Sequence, residues 1–194
     1  LYFEKVPFGA SVVFNGTLKY KDTQANFTTA NVTLNVSNTG VATSSSGIAT
    51  DVDYVVDEAT KTVTGTIKLV YSYNSTGLKN KTLVSFVTAK HNDVVVALHE
   101  DINDTDETIY YPDIHTNAKD ANTMSNVSKL GTTQIIDTVT LNNLVVGNTY
   151  VVTGTVNVKN EDGSYGGIAT KKVNGVDTQV TKSVTITISD SGVI

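Results

Sequence analysis

The ten residues His99-Glu100-Asp101-Ile102-Asn103-Asp104-Thr105-Asp106-Glu107-Thr108 place one imidazole and five carboxylates in a single polar stretch. Side chains of these types can exchange protons or hold a cation. The preceding Asp93-Val94-Val95-Val96-Ala97-Leu98 reads as a buried strand. The polar run is therefore expected at or beyond a strand end, where a rigid scaffold can hold functional side chains. For calcium, Asp101, Asn103, Asp104, Asp106 and Glu107 lack the central glycine and distal bidentate glutamate of an EF-hand-like loop, so a solvated acidic turn is expected. His91, His99 and His115 occur without cysteine and without i, i+4 helical spacing, and are expected to be surface or core residues. Neither a metal nor a cofactor is expected.

The rest of the chain must supply the scaffold. Its 194 residues, 39% hydrophobic and 17% charged, can bury one large core or two of about 100 residues each. Thr, Val, Asn and Ser dominate, and no segment has helical periodicity, which favours strands and turns. The absence of cysteine excludes a disulfide framework and thiolate metal sites. A net charge of −5, with no basic cluster interleaved with aromatics, argues against a nucleic-acid partner. No signal peptide, transmembrane span or amphipathic membrane helix is recognisable, and the chain opens without Met, so it reads as a mature or excised piece.

Strand-length apolar runs occur at Ser11 to Phe14, Thr17 to Tyr20, Asn31 to Val36, Asp51 to Val56, Lys61 to Tyr71, Thr82 to Thr88 and Asp93 to Leu98. Turn signals separate them: Asn15-Gly16, Thr39-Gly40, Ser44-Ser45-Ser46-Gly47 and Asn74-Ser75-Thr76-Gly77. Tyr111-Pro112-Asp113 reads as a linker, because proline cannot donate to a central ladder. A second series follows at Gln134 to Leu141, Thr149 to Lys159, Ile168 to Val173 and Ser183 to Ser189, with a hairpin turn at Asn160-Glu161-Asp162-Gly163. With a boundary near residue 109, the expected fold is all-β. Two immunoglobulin-like β-sandwich units, 1–108 and 109–194, lie in tandem, and the second stops before any closing strands. Val63-Thr64-Gly65-Thr66 and Val152-Thr153-Gly154-Thr155 are a weak echo between the two.

The segment from Asp137-Thr138-Val139 through Leu144-Val145-Val146-Gly147-Asn148-Thr149-Tyr150 to Gly154-Thr155 resembles the core of the VaFE-type repeats of Gram-positive surface adhesins, the Thr-Gln ester-bond domains. Pro112 to Asp120 resembles the opening strand of such a domain, the His99 run its closing strand, and Leu1-Tyr2-Phe3-Glu4 its Val-Phe-Glu strand. The resemblance implies an extracellular, cell-surface structural protein in which a Thr hydroxyl attacks a Gln carboxamide, assisted by an Asp, a Glu and a His. Carried over by position, Thr116 is the nucleophile, Asp137 the aspartate, Glu4 the glutamate and His99 the histidine. The acyl position departs from the pattern, with Glu107 where the family has Gln. A carboxylate is a poor electrophile, so an ester there needs a protonated carboxyl and loss of water in a water-excluding site.

Glu4 and His99 precede Thr116 and Asp137, the reverse of the family order, and the chain reads as permuted. First and last strands of the family lie parallel, and parallel neighbours need a crossover of roughly a dozen residues. Only Thr108 to His115 separate Glu107 from Thr116, so the two are not expected to meet within one chain. Copies are instead expected to join head to tail by strand donation, Leu1 to Val6 and the His99 strand completing a neighbour's second unit, with an intermolecular ester at the joint. Two alternatives stand: a fragment of a tandem-repeat stalk, and an adhesin module whose loops bind a host glycan or protein. No paired-carboxylate cleft, nucleophile elbow or phosphate loop points to a turnover enzyme, so any chemistry is a single self-directed event. Asn-X-Ser/Thr sequons at Asn15, Asn26, Asn31, Asn35, Asn74, Asn80, Asn103 and Asn126 would mark surface positions of a glycoprotein in a host that glycosylates.

Overall fold

A computed structural model describes residues 1–189; Asp190 to Ile194, at the end of the second strand series, lie outside the described residues. The chain divides into two compact units, Leu1–Tyr111 and one beginning at Pro112. Their regular elements are strands, apart from a 3-10 turn at Ala49–Asp51 in the first unit.

The first unit contains β1 (Tyr2–Pro7), β2 (Ser11–Tyr20), β3 (Asn26–Val36), β4 (Ala42–Ser44), β5 (Val52–Asp57), β6 (Thr62–Ile67), β7 (Thr82–His91), β8 (Val94–His99) and β9 (Thr108–Tyr110). One sheet runs β4-β3-β2-β7-β8, with β9 also paired to β7; the other runs β1-β6-β5. Strict alternation builds the core: Val12, Phe14 and Leu18 of β2 and Val32, Leu34 and Val36 of β3 turn inward, while Ser11, Asn15, Asn31 and Asn35 face solvent. All of these apolar residues but Leu18 meet Phe3, Val6, Val63 and Ile67 from the opposing sheet. Leu34 is fully buried. Leu34→Ala is expected to lower the stability of this unit by about 3 kcal/mol, the usual cost of a large core truncation, read as a shift in its denaturant midpoint.

A satellite cluster of Leu18, Leu78 and Leu83 gathers Tyr20, Phe27, Tyr71, Tyr73 and Tyr111. Tyr111 closes the unit. Its N–H donates to the Lys81 carbonyl at 2.9 Å, its carbonyl accepts from Asn80 N–H at 2.9 Å, and its hydroxyl is hydrogen bonded to that of Tyr73. Burial and the Tyr73 hydroxyl push the Tyr111 phenol up to about 12.

Three sequence expectations are corrected here. Asn15-Gly16 is no turn, since β2 continues through it; Gly16 is required because a Cβ there would lie 2.0 Å from the Tyr71 hydroxyl and 2.4 Å from Leu69 Cδ2. The strand expected from Lys61 to Tyr71 ends at Ile67, and Tyr71 and Tyr73 belong to the irregular segment that follows. The run Val94 to Leu98 is not buried. It forms an edge strand exposed along its whole length, with Val94 and Leu98 each 64% accessible.

The second unit contains β10 (Asp113–Asp120), β11 (Ile135–Asn142), β12 (Thr149–Thr155), β13 (Asn157–Lys159), β14 (Tyr165–Ile168), β15 (Thr170–Val173), β16 (Val176–Gln179) and β17 (Thr181–Thr187). Among the described residues they pair two by two, as β10-β11, β12-β17, β13-β14 and β15-β16. The turn at Asn160 to Gly163 joins β13 to β14, with Gly163 N–H donating to the Asn160 carbonyl at 2.9 Å. Among the described residues here, Ile188 and Asp120 alone are buried. Asp120 organises the loop after β10: its carboxylate accepts the N–H groups of Asn122 and Thr123, each at 2.9 Å, and the hydroxyls of Ser128 at 2.7 Å and Thr133. Those partners, the Thr133 hydroxyl first, hold the Asp120 carboxyl far below the usual carboxylate range. Because the folded value is the depressed one, the contribution is complete above the unfolded value of about 3.9 and is lost as pH falls through the folded value. The protection factors of the Asn122 and Thr123 amides, which are exchange rates corrected for their intrinsic pH dependence, are therefore expected to hold from neutral pH into mild acid and to fall only in strong acid, whereas Asp120→Ala lowers them already at neutral pH.

The units share more than the Gly65/Gly154 echo. Gly9 and Gly147 both have positive φ, as do Lys5 and Asn143 at the same spacing. Ala10 N–H donates to the Pro7 carbonyl as Asn148 N–H does to Val145, and Val36 N–H donates to Ala10 as Ile188 N–H does to Asn148. Ser11 pairs with Asn35 at the mouth of β2-β3, and Thr149 with Thr187 at the mouth of β12-β17. The structural counterpart of Gly154 is thus Gly16, not Gly65. By the same spacing Leu1 to Glu4 correspond to Val139 to Asn142 of β11.

Candidate functional site

The acidic run is an excursion from a single edge strand. β8 and β9 both lie antiparallel against β7, where His99 pairs with Val87 and Thr108 with Val84. Between these rungs Ser85 N–H donates to the Glu107 carbonyl at 3.0 Å. His99 and Glu107, eight positions apart in sequence, therefore lie along the same side of β7, opposite Val87 and Ser85, two residues apart on that strand. The turn between them satisfies itself: Asp101 accepts Asn103 N–H at 2.9 Å, Asp104 accepts Asp106 N–H at 2.9 Å, and the Thr108 hydroxyl donates to the Asp104 carbonyl.

His99 Nε2 lies 2.8 Å from Asp104 Oδ2. The N–H of Asp106, and then the His99 ring, hold the Asp104 carboxyl below its ordinary value. This pair fixes the imidazole at the mouth of a cavity of about 270 Å³ lined by Leu1, Tyr2, Phe14, Val87, Leu98, His99 and Glu107. Glu107 is half-buried and also lines a neighbouring cavity with Leu1, Leu18, Tyr71 and Ser85. Burial pushes the Tyr71 hydroxyl up and the negative charge of Glu107 adds to it, against a 3.0 Å hydrogen bond with the Ser85 hydroxyl. Sequence reasoning missed Tyr71 and Ser85, since no spacing ties either to Glu107. Only the β7 ladder does.

Glu4 lies on β1, exposed, and reaches this cavity only through Tyr2, whose hydroxyl donates to Glu4 Oε1 at 3.1 Å. The residue laddered opposite His99 is Val87.

Thr116 and Asp137 belong to the β10-β11 ribbon of the second unit. Thr116 pairs with Val139 and Ala118 with Asp137, so strand alternation puts the two side chains on one face as diagonal neighbours. Both are exposed. Beside them, His115 Nε2 stands 3.0 Å from Asp113 Oδ2. The five residues singled out by sequence thus fall into two groups, His99 and Glu107 with Glu4 at a remove, and Thr116 with Asp137. Among the described residues no group of three or more His, Asp or Glu side chains is gathered for a metal ion.

Two consecutive all-β units, the first holding Glu4, His99 and Glu107 and the second Thr116 and Asp137, define a tandem structural module. The chain belongs to the T-Q ester bond containing domain family, which matches residues 3–111 and again 112–192. No curated protein and no solved structure matches it. Membership makes each unit a structural domain of the kind found in surface adhesins, and no helix among the described residues is long and apolar enough to cross a membrane.

Proposed function

We propose that the chain is a structural subunit of an extracellular adhesin stalk or surface filament, in which copies join head to tail by strand donation and a self-directed ester locks the joint. The observation that carries this is the division of the constellation: His99 and Glu107 stand two β7 residues apart along an edge that is unpaired among the described residues of the first unit, and Thr116 and Asp137 on a two-stranded ribbon in the second. The edge itself supports the reading. Val94, Val96 and Leu98 expose apolar surface along β8, which a monomer seldom leaves bare without a partner.

The step balances without a co-reactant. Thr116 Oγ of one copy attacks Cδ of the protonated Glu107 carboxyl of the next, and its proton passes to His99. The carbon–hydroxyl bond of Glu107 then breaks, and the departing oxygen takes the proton from His99 and leaves as water. Asp104 fixes the imidazole, and Asp137 sits on the face of Thr116 to orient the hydroxyl. Each site reacts once, so the chain is its own substrate and no turnover follows.

A stalk role also accords with the tyrosines. Tyr20, Tyr71, Tyr73 and Tyr111 pack partly buried around Leu18, Leu78 and Leu83 rather than forming the exposed aromatic platform a glycan site would present. Intact mass together with peptide mapping tests the proposal. Expected are covalent multimers, lighter by one water per joint, and a Thr116–Glu107 linked peptide; unmodified monomers at high concentration would refute it.

A further inference from the structure

We infer that the outward face of β2-β3 in the first unit, and the matching face of β12-β17 in the second, is a lateral contact surface whose occupant is the same face of a second copy of this chain. The contact is side to side. It goes beyond the head-to-tail reading and needs no ester.

The observation is an uncharged ladder present once in each unit. Ser11, Val13, Asn15 and Thr17 of β2 turn outward and pair with Asn35, Thr33, Asn31 and Thr29 of β3. The second unit repeats these rungs in order: Thr149, Val151, Thr153 and Thr155 of β12 pair with Thr187, Thr185, Ser183 and Thr181 of β17, all of them exposed. Valine holds the same rung in both, and every other place in either ladder is Ser, Thr or Asn. Other exposed strand faces are charged: β5 turns out Asp53 and Asp57, and β15-β16 pairs Lys172 with Asp177 at 2.8 Å. In a chain of which 17% is charged, an uncharged ladder at the same place in both units points to a shared role.

Charge, hydrogen bonding and recurrence fit this face to a copy of itself. A net charge of −5 sets copies of the chain against one another, and here two copies can approach without opposing carboxylates. In the first unit β7 adds Thr88 beside Asn15 and Lys90 beside Val13, again with no carboxylate. The side chains also bond across their rungs, so less is lost when water leaves: Ser11 Oγ donates to Asn35 Oδ1, and the hydroxyls of Thr149 and Thr187 and of Thr153 and Ser183 pair, each at 2.9 Å. Recurrence decides the occupant. A ladder carried once per unit is matched unit for unit by another copy. Each ladder measures roughly 20 Å by about 10 Å, from strand rise and spacing. It covers about 200 Å², against roughly 800 Å² on each side of a standard interface. One pair of ladders is therefore a weak contact, and strength comes from adding units.

The full-length Thr116→Ala chain, which cannot form the ester, isolates the lateral contact. Its sedimentation is expected to show reversible self-association at high concentration, stronger in added salt, which screens the net charge. Asn15→Lys combined with Thr153→Lys should weaken that association several-fold, while Val55→Lys on exposed β5 leaves it unchanged. Asn15 and Thr153 are both exposed, and unchanged thermal unfolding checks that the units stay folded. A further arm mixes the lysine chain with its Asn15→Asp, Thr153→Asp counterpart. Each alone should associate weakly and the mixture should recover, since only a face that meets itself brings the opposite charges together. A chain that stays monomeric at every concentration, or whose association the lysines do not change, would overturn the proposal. So would association lost with the lysines and not restored by mixing, which would set the ladder against some other surface. None of these outcomes bears on the ester, whose loss of water and Thr116–Glu107 peptide are read in the parent chain.

Discussion

Glu107→Gln is expected to speed crosslinking of the full chain roughly tenfold or more and to change the mass lost at each joint from one water to one ammonia. The cause lies in the electrophile. A carboxylate repels an incoming oxygen and must be protonated before it can react, while a carboxamide is neutral at every relevant pH and needs a proton only as its nitrogen leaves. The half-buried position beside Tyr71 and Ser85 takes either group, since the two are nearly the same size. Thr116→Ala should abolish the bond in both backgrounds without disturbing folding, because Thr116 is exposed on its ribbon. Time-resolved mass spectrometry of the four chains reads all of this. A glutamine variant that crosslinks no faster than the parent would show that Glu107 is not the acyl donor.

Gly65→Ala is expected to destabilise the first unit by about 3 kcal/mol, at the upper end of overpacking costs. Gly65 sits in β6 between β1 and β5, paired with Phe3 on one side and Tyr54 on the other. A Cβ there would lie 2.1 Å from the Asp53 carbonyl oxygen and 2.7 Å from Tyr54 Cα, backbone atoms that cannot swing aside. Gly154→Ala is the matched control. Its Cβ would come no nearer than 4.0 Å to the Lys182 carbonyl, so a change within about 0.5 kcal/mol is expected. Two glycines inside the same Val-Thr-Gly-Thr letters should thus differ sharply in thermal unfolding.

That contrast shows what the sequence could and could not convey. Strand alternation in β2 and β3 marks Val12, Phe14, Val32 and Leu34 as inward, and the Asn160 to Gly163 turn follows from its residue types. Asn15-Gly16 carries the same turn chemistry, yet its glycine serves a side-chain contact from Tyr71 that only the folded sheet supplies. An unbroken valine run reads equally well as a buried strand or a bare edge; its position beside β7 decides, and position is a property of topology. The chemistry of the acidic run was legible by type, but the proximity of His99 and Glu107 was not, because the excursion between them hides that both return to β7, opposite Val87 and Ser85. The correspondence between units was equally hidden. It is written in positive φ at Lys5 and Asn143 and in hydrogen-bond register, while the side chains at those places differ.

Tyr111 carries a mechanical consequence. The last residue of the first unit is pinned at three points, to Lys81, Asn80 and Tyr73. A tug on the unit at Tyr111 finds no slack to take up. Tension reaches backbone pairs of β9 against β7 at once, and the unit transmits load as a stiff link until those pairs rupture together.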